Sequence, residues 1–156
     1  MASYSFKSSG TTQQQQKARQ LAVTPVPIGI LTPLRPGTSE GIWGMTISLE
    51  DQIADNLRNL IMTNWGERLG LYDFGANLKE ITTDIVSQND FDSQAVERIR
   101  NAVTKWMPFI NLETFESKIL HTDNLSTGII KLYVTYSVPA LGVTKMKTLE
   151  VTLYVI

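Results

Sequence analysis

The sequence predicts an α+β fold: two longer helices and one short helix packed on an antiparallel β-meander, preceded by an extended N-terminal arm. Three observations predict it. Apolar residues recur at three- and four-residue spacing from about residue 48 to residue 106. After Asn111 the period changes to two, in segments rich in β-branched and aromatic residues. Helices come first and strands last, the order of segregated layers rather than of alternating βα units.

The first helix, expected over about 48–64, opens at Ser48 with Asp51 three residues on, a capping-box pattern, and Glu50 and Asp51 suit the positive end of its dipole. Ile53, Leu57, Leu60 and Ile61 make its apolar stripe. Asn64-Trp65-Gly66 ends it, with Gly66 placed for the left-handed conformation. After Asp73-Phe74-Gly75, a short helix presents Leu78, Ile81 and Ile85. The third helix has Asp92 or Ser93 as candidate caps and Val96, Ile99, Val103 and Trp106 as its buried stripe. Glu97, Arg98, Arg100 and Lys105 face away, and Pro108 stops it. Strands are expected over 112–120, 129–138 and 145–156, joined by a polar turn at 121–128 and a loop at 139–144. In the last strand Leu149, Val151, Leu153 and Val155 alternate.

The near-neutral net charge of −1 over 156 residues conceals two unlike parts. Residues 1–40 carry four bases against one acid, and residues 41–156 carry ten bases against fourteen acids. The division suggests an extended, partly disordered arm over 1–40 and a folded domain over 41–156. Gln13 to Gln16 follow a Ser/Thr/Gly run, and Pro25, Pro27, Pro33 and Pro36 oppose a regular helix or central strand. Leu21, Val23, Val26, Ile28, Ile30, Leu31 and Leu34 are nevertheless too apolar for a pure linker, and extended segments of this kind lie in grooves.

Catalytic raw material is scarce. With no cysteine and one histidine, His121, in a turn-like His-Thr-Asp-Asn run, thiolate chemistry and His- or Cys-ligated metal centres lack ligands. No metal or other cofactor is expected. Gly66 to Gly70 lacks the Gly-Lys-Ser/Thr ending of a P-loop, and Asp73-Phe74-Gly75 stands without the remaining kinase motifs. The charge balance gives no reason to expect nucleic acid or an anionic membrane, no apolar run approaches the roughly 18 residues of a membrane span, and no signal peptide opens the chain. A glycosidase needs two carboxyls, one with a raised pKa. Glu67, Asp73, Glu80 and Asp84 are the candidates, but Arg68 beside Glu67 would lower a pKa rather than raise it. The uncharged, proline-free ending 151–156 offers a stronger feature. It is either a central strand or an edge that another chain completes.

Leu60-Ile61-Met62-Thr63-Asn64-Trp65-Gly66-Glu67-Arg68, then Asp73-Phe74-Gly75 and Leu78, resembles the signature of the baseplate wedge and sheath-initiator family of contractile-tailed phages and related contractile injection systems. The resemblance runs over about residues 40–156. It implies structural and interface roles for Gly66, Glu67, Arg68, Asp73, Phe74, Gly75, Trp106 and Pro108. One departure stands out: the family's Trp-Glu-Pro-Arg is here Trp106-Met107-Pro108-Phe109, which replaces two charges with apolar side chains and implies a drier contact.

By this resemblance the chain is a non-enzymatic baseplate wedge subunit that joins neighbouring wedge subunits and initiates the tail sheath by β-strand augmentation along Leu149, Val151, Leu153 and Val155. Its implied partners are other wedge subunits, the sheath protein, and the tail tube or hub, in multiple copies around a rotational axis. Its implied place is the virion tail baseplate, assembled in the host cytoplasm. Glu67 and Arg68 are expected to order the turn before Asp73 by hydrogen bonds and charge pairing. Two other readings remain: a peptidoglycan-cleaving tail lysozyme using Glu67 with Asp73 or Glu80, and a transient assembly chaperone or adaptor.

Overall fold

The computed structural model describes residues 26–37, 42–83, 87–121, 128–141 and 143–155; the side chains of residues 88, 121, 143–145 and 155 lie outside that description. Expectations for residues 1–25, Asp84, Ile85, the tip of the 121–128 turn and Ile156 therefore lie outside the described residues, as does the side chain of His121. The chain divides into two compact units, residues 1–52 and 53–156.

In the first unit, β1 (Gly29–Ile30) and β2 (Met45–Thr46) pair antiparallel. The Ile28 amide donates to Thr46 O (2.9 Å), Leu31 to Gly44 O (2.9 Å) and Gly44 to Arg35 O (2.8 Å), and Pro36 bridges Trp43. The proline-rich segment is thus a two-stranded ribbon rather than a uniformly extended path. Its prolines fall outside the two strands and leave the ladder donors in place.

Helix α1 spans Leu49–Met62, with the Ser48 hydroxyl accepting from the Asp51 amide at 3.5 Å. It ends before Gly66, whose φ of +84° serves the following turn rather than the helix cap. Helix α2 spans Leu78–Thr83 and buries Leu78 and Ile81. Helix α3 spans Gln88–Trp106, one turn longer at its start than Asp92 or Ser93 as caps would allow. Ser87 is the cap: its hydroxyl accepts from the Asp90 amide (3.2 Å) and donates to the Asp90 carboxylate (2.6 Å). The Ser-x-x-Asp pattern was present in the sequence, and the extra turn brings Phe91 into the core. Asp92 instead accepts from the Ser117 hydroxyl, tying α3 to the sheet, and Ser93 donates back to Asn89 O.

Strands β3 (Asn111–His121), β4 (Gly128–Val138) and β5 (Val143–Val155) form an antiparallel meander in the order β3-β4-β5. A 3-10 turn over Pro139–Leu141 replaces the longer expected loop, so β5 starts two residues early. The fold is α+β. The core face of β4 carries Ile130, Leu132, Val134, Tyr136 and Val138, all buried. Opposite them lie Phe115 and Ile119 on β3, and Leu149, Val151 and Leu153 on β5. Helix α3 covers β3 and α2 covers β5. Ile53, Leu57, Leu60, Ile61, Ala95, Ile99 and Val103 complete the core, whereas Val96 is half-buried. The other sheet face is polar and cross-strand paired: Lys131 with Glu150 (2.9 Å), Thr135 with Thr148 (3.2 Å), Ser137 with Glu113 (2.9 Å).

Because Ser87 satisfies an otherwise orphaned amide of α3, Ser87→Ala should lower the unfolding free energy by about 1 kcal/mol in urea titrations, while Asp92→Asn should leave the start of α3 unchanged.

Candidate functional site

The sequence motif condenses into one turn-and-groove site on the second unit. At the end of α1, exposed carbonyls need donors. The Ala76 amide donates to Leu60 O (3.1 Å) and the Asn77 amide to Thr63 O (3.3 Å). This brings Gly75 so close that a Cβ there would lie 2.1 Å from Thr63 O, at a φ of +111° that L side chains rarely adopt. Between the two ends, the Gly66 amide closes the loop onto Tyr72 O at 2.7 Å.

Asn64 joins three elements. Its amide and its side-chain Nδ2 donate to the two oxygens of Glu67 (2.8 and 2.9 Å), and its Oδ1 accepts from the Lys79 amide in the first turn of α2 (3.1 Å). Trp65 Nε1 donates to Gly75 O at 3.2 Å. Arg98, which the periodicity placed facing away, is half-buried; it donates to Asn77 O (2.7 Å) and to Glu80 (2.8 Å). Asn64 and Asn77 are organisers that sequence reasoning left without a role. Asn77 holds a positive φ of +51°, which asparagine tolerates, and donates to Glu80 (2.6 Å).

Glu67 and Arg68 act separately. Arg68 stacks its guanidinium 4.3 Å from the centre of the Phe74 ring. Phe74 in turn meets Trp106 edge-on, with centroids 5.2 Å apart and planes at 61°. Lys105 pairs with Asp73 and also lies over Trp106. Together with Met107 and Phe109, these aromatics line a groove of about 650 Å³, whose polar wall is Asn56, Asn59, Thr63, Glu67 and Arg68. Met107 is buried, and Phe109 is 45% exposed. Pro108 sits in the exposed turn between them. Trp65, Leu69 and Tyr72 stand exposed on the adjoining loop, Leu69 at 92%.

Two carboxyls of this region, Glu67 and Asp73, are biased toward the ionised form. The Asn64 side-chain and backbone donors keep Glu67 below its ordinary pKa, and the Lys105 ammonium does the same for Asp73. Glu80 is tied to Arg98 and Asn77. A glycosidase acid needs the opposite shift.

The last strand is an edge. Strand β5 pairs with β4 alone among the described residues. Leu149 and Val151 are buried and Leu153 packs on the core, so these side chains point inward. Met146, Thr148, Glu150 and Tyr154 are exposed, and what β5 offers a neighbour is its backbone.

No protein-family model matches the sequence, and no curated protein does. Solved structures do resemble it. A “putative tail lysozyme” from Geobacter sulfurreducens superposes with a TM-score of 0.56 at 20% identity, over 70% of this chain and 93% of that one. A chain of the anti-feeding prophage (AFP) baseplate gives 0.54 at 17%, over 69% and 81%. The chain has the fold of these tail and baseplate proteins. A chain of the type VI secretion system baseplate complex aligns more loosely, with a TM-score of 0.44 at 14% identity, over 67% of this chain and 92% of that one. The shared fold is consistent with the baseplate-wedge resemblance of the Gly-Glu-Arg and Asp-Phe-Gly segments.

Two outcomes test the turn. Gly75→Ala combines a forbidden φ with a backbone clash and should cost roughly 3 kcal/mol or more, read by denaturant unfolding. Glu67 has a depressed folded-state pKa, so its contribution is present above the unfolded value and is lost as pH falls through the folded one. Wild type should therefore melt above Glu67→Gln near neutral pH, and the gap should close as the pH is taken below the ordinary carboxyl value of 4.5.

Proposed function

We propose that this chain is a structural wedge subunit of a contractile-tail baseplate, joining neighbouring baseplate proteins and initiating the sheath by strand addition to β5. The observation that carries the reading is the fold shared with an AFP baseplate chain and a tail-lysozyme-named protein over about 70% of the chain. The open edge of β5 supports strand addition, because an unpaired ladder of amides and carbonyls is a template for another strand. The division at 1–40 and 41–156 assigns docking to the arm. Val26, Ile28, Leu34 and Ile42 are exposed on the ribbon in and beside that arm, and they supply the apolar surface docking requires. Its partners in this reading are other wedge subunits, the sheath protein, and the tube or hub, in several copies within a phage-tail baseplate formed in the host cytoplasm.

The lowered pKa values of Glu67 and Asp73 weigh against a lysozyme that pairs these two carboxyls, in which one of them would have to stay protonated as the acid; the pairing of Glu67 with Glu80 is left to the digestion test. Cell-wall digestion by the purified chain that disappears in Glu67→Gln would reverse this choice. A departing chaperone is separated from a subunit by mass spectrometry of purified particles, where a subunit keeps a fixed copy number.

Strand addition has its own test. Amides along an edge strand alternate between the partner and open space. Proline at 152 and, separately, at 153 should therefore give one variant that breaks the β4 ladder and one that folds as its control does, the control for 153 being Leu153→Ala because Leu153 packs on the core. The normally folded variant should yield baseplates without sheath in electron micrographs; full-length sheath on those particles would sink strand addition.

A further inference from the structure

We propose that the groove beside Arg68 is a docking site for a polypeptide segment of another protein that carries a carboxylate next to a large apolar side chain, with Arg68 receiving the carboxylate. The site carries a charge imbalance that does not depend on the baseplate reading. Each acid near Arg68 in sequence is engaged elsewhere: Glu67 by Asn64, Asp73 by Lys105, Glu80 by Arg98. Among the described residues Arg68 has no ion-pair partner and its guanidinium no protein acceptor; what holds it is the face of Phe74.

That arrangement is suited to a carboxylate. Stacking on an aromatic ring strips water from the guanidinium faces and leaves the in-plane N–H donors available as a rigid fork, which a carboxylate meets with two parallel bonds. The ring is itself packed edge-on against Trp106, so the surface on which the guanidinium rests is formed within the protein. Asn59 is among the polar residues that line the same groove.

The apolar part of the lining explains why the ligand is a peptide rather than a free anion. Trp106, Met107 and half-exposed Phe109 supply an apolar surface that phosphate or sulfate would leave wet. A nucleic acid is disfavoured, because the Glu67 carboxylate shares the rim and the 41–156 segment carries more acids than bases. A volume of about 650 Å³ accommodates a few side chains.

The test is an NMR titration of the isotope-labelled full chain with capped pentapeptides centred on Leu-Glu-Leu, Leu-Gln-Leu and Ala-Glu-Ala, and with acetate. The Leu-Glu-Leu peptide should shift the side-chain signals of Arg68 and the Trp106 indole. It should bind about tenfold more tightly than the Leu-Gln-Leu peptide, the ratio expected for one charge-assisted pair. Arg68→Gln should erase that preference, Arg68→Lys should retain part of it, and Phe109→Ser should weaken the Leu-Glu-Leu peptide toward the level of Ala-Glu-Ala. Should Arg68→Gln fail to fold, the two peptide pairs on wild type and Phe109→Ser still decide. Equal binding of the Glu and Gln peptides, shifts confined to other surfaces, no shifts at all, or acetate binding as tightly as the peptide would each overturn the proposal.

Discussion

The second unit is organised around the last carbonyls of α1. A helix end left without donors is costly, and here the donors come from residues 76 and 77, well along the chain. Meeting that demand forces the backbone at 75 against Thr63, which glycine alone allows. It also brings Phe74 beside Trp106 and Asn64 within reach of both Glu67 and Lys79. The turn, the start of α2 and the aromatic side of the groove are thus consequences of one backbone contact.

The charged groups around that contact are arranged for holding rather than for proton transfer. Asp73 with Lys105, Glu80 with Arg98, and Glu67 with Asn64 are local closures that tie each carboxylate to a neighbouring donor. Exposed pairs of this kind add little to stability individually, but they fix side chains around the groove and, among the described residues, leave Arg68 without an acid of its own. The sheet follows the same division of labour. Its core face is apolar, its outer face is filled with cross-strand polar pairs, and its reactive feature is the backbone edge of β5.

Much of this was legible from residue order. The period of α1 identified Ile53, Leu57, Leu60 and Ile61, and the β-branched and aromatic run over 129–138 identified β4 as a strand, because burial of one face imposes a pattern that local sequence must carry. Errors fell where competing local signals existed. Two acceptable caps, Asp92 and Ser93, hid the Ser87 cap a turn earlier. Arg98 looked like a solvated charge because its partners, Asn77 and Glu80, lie about twenty residues away in sequence. Proline density in the arm masked the short β1–β2 ribbon, whose strands need only two residues each.

By itself, then, the sequence determined the α+β class, the order of elements, the apolar faces and the motif joining Gly66-Glu67-Arg68 to Asp73-Phe74-Gly75, since periodicity and turn chemistry are local properties. Tertiary structure alone decided that β5 pairs on one side only among the described residues, that Leu149, Val151 and Leu153 face inward, and that Arg68 stacks on Phe74. Those outcomes depend on which distant groups arrive first at each donor, acceptor and ring face, and no spacing within one segment encodes that competition.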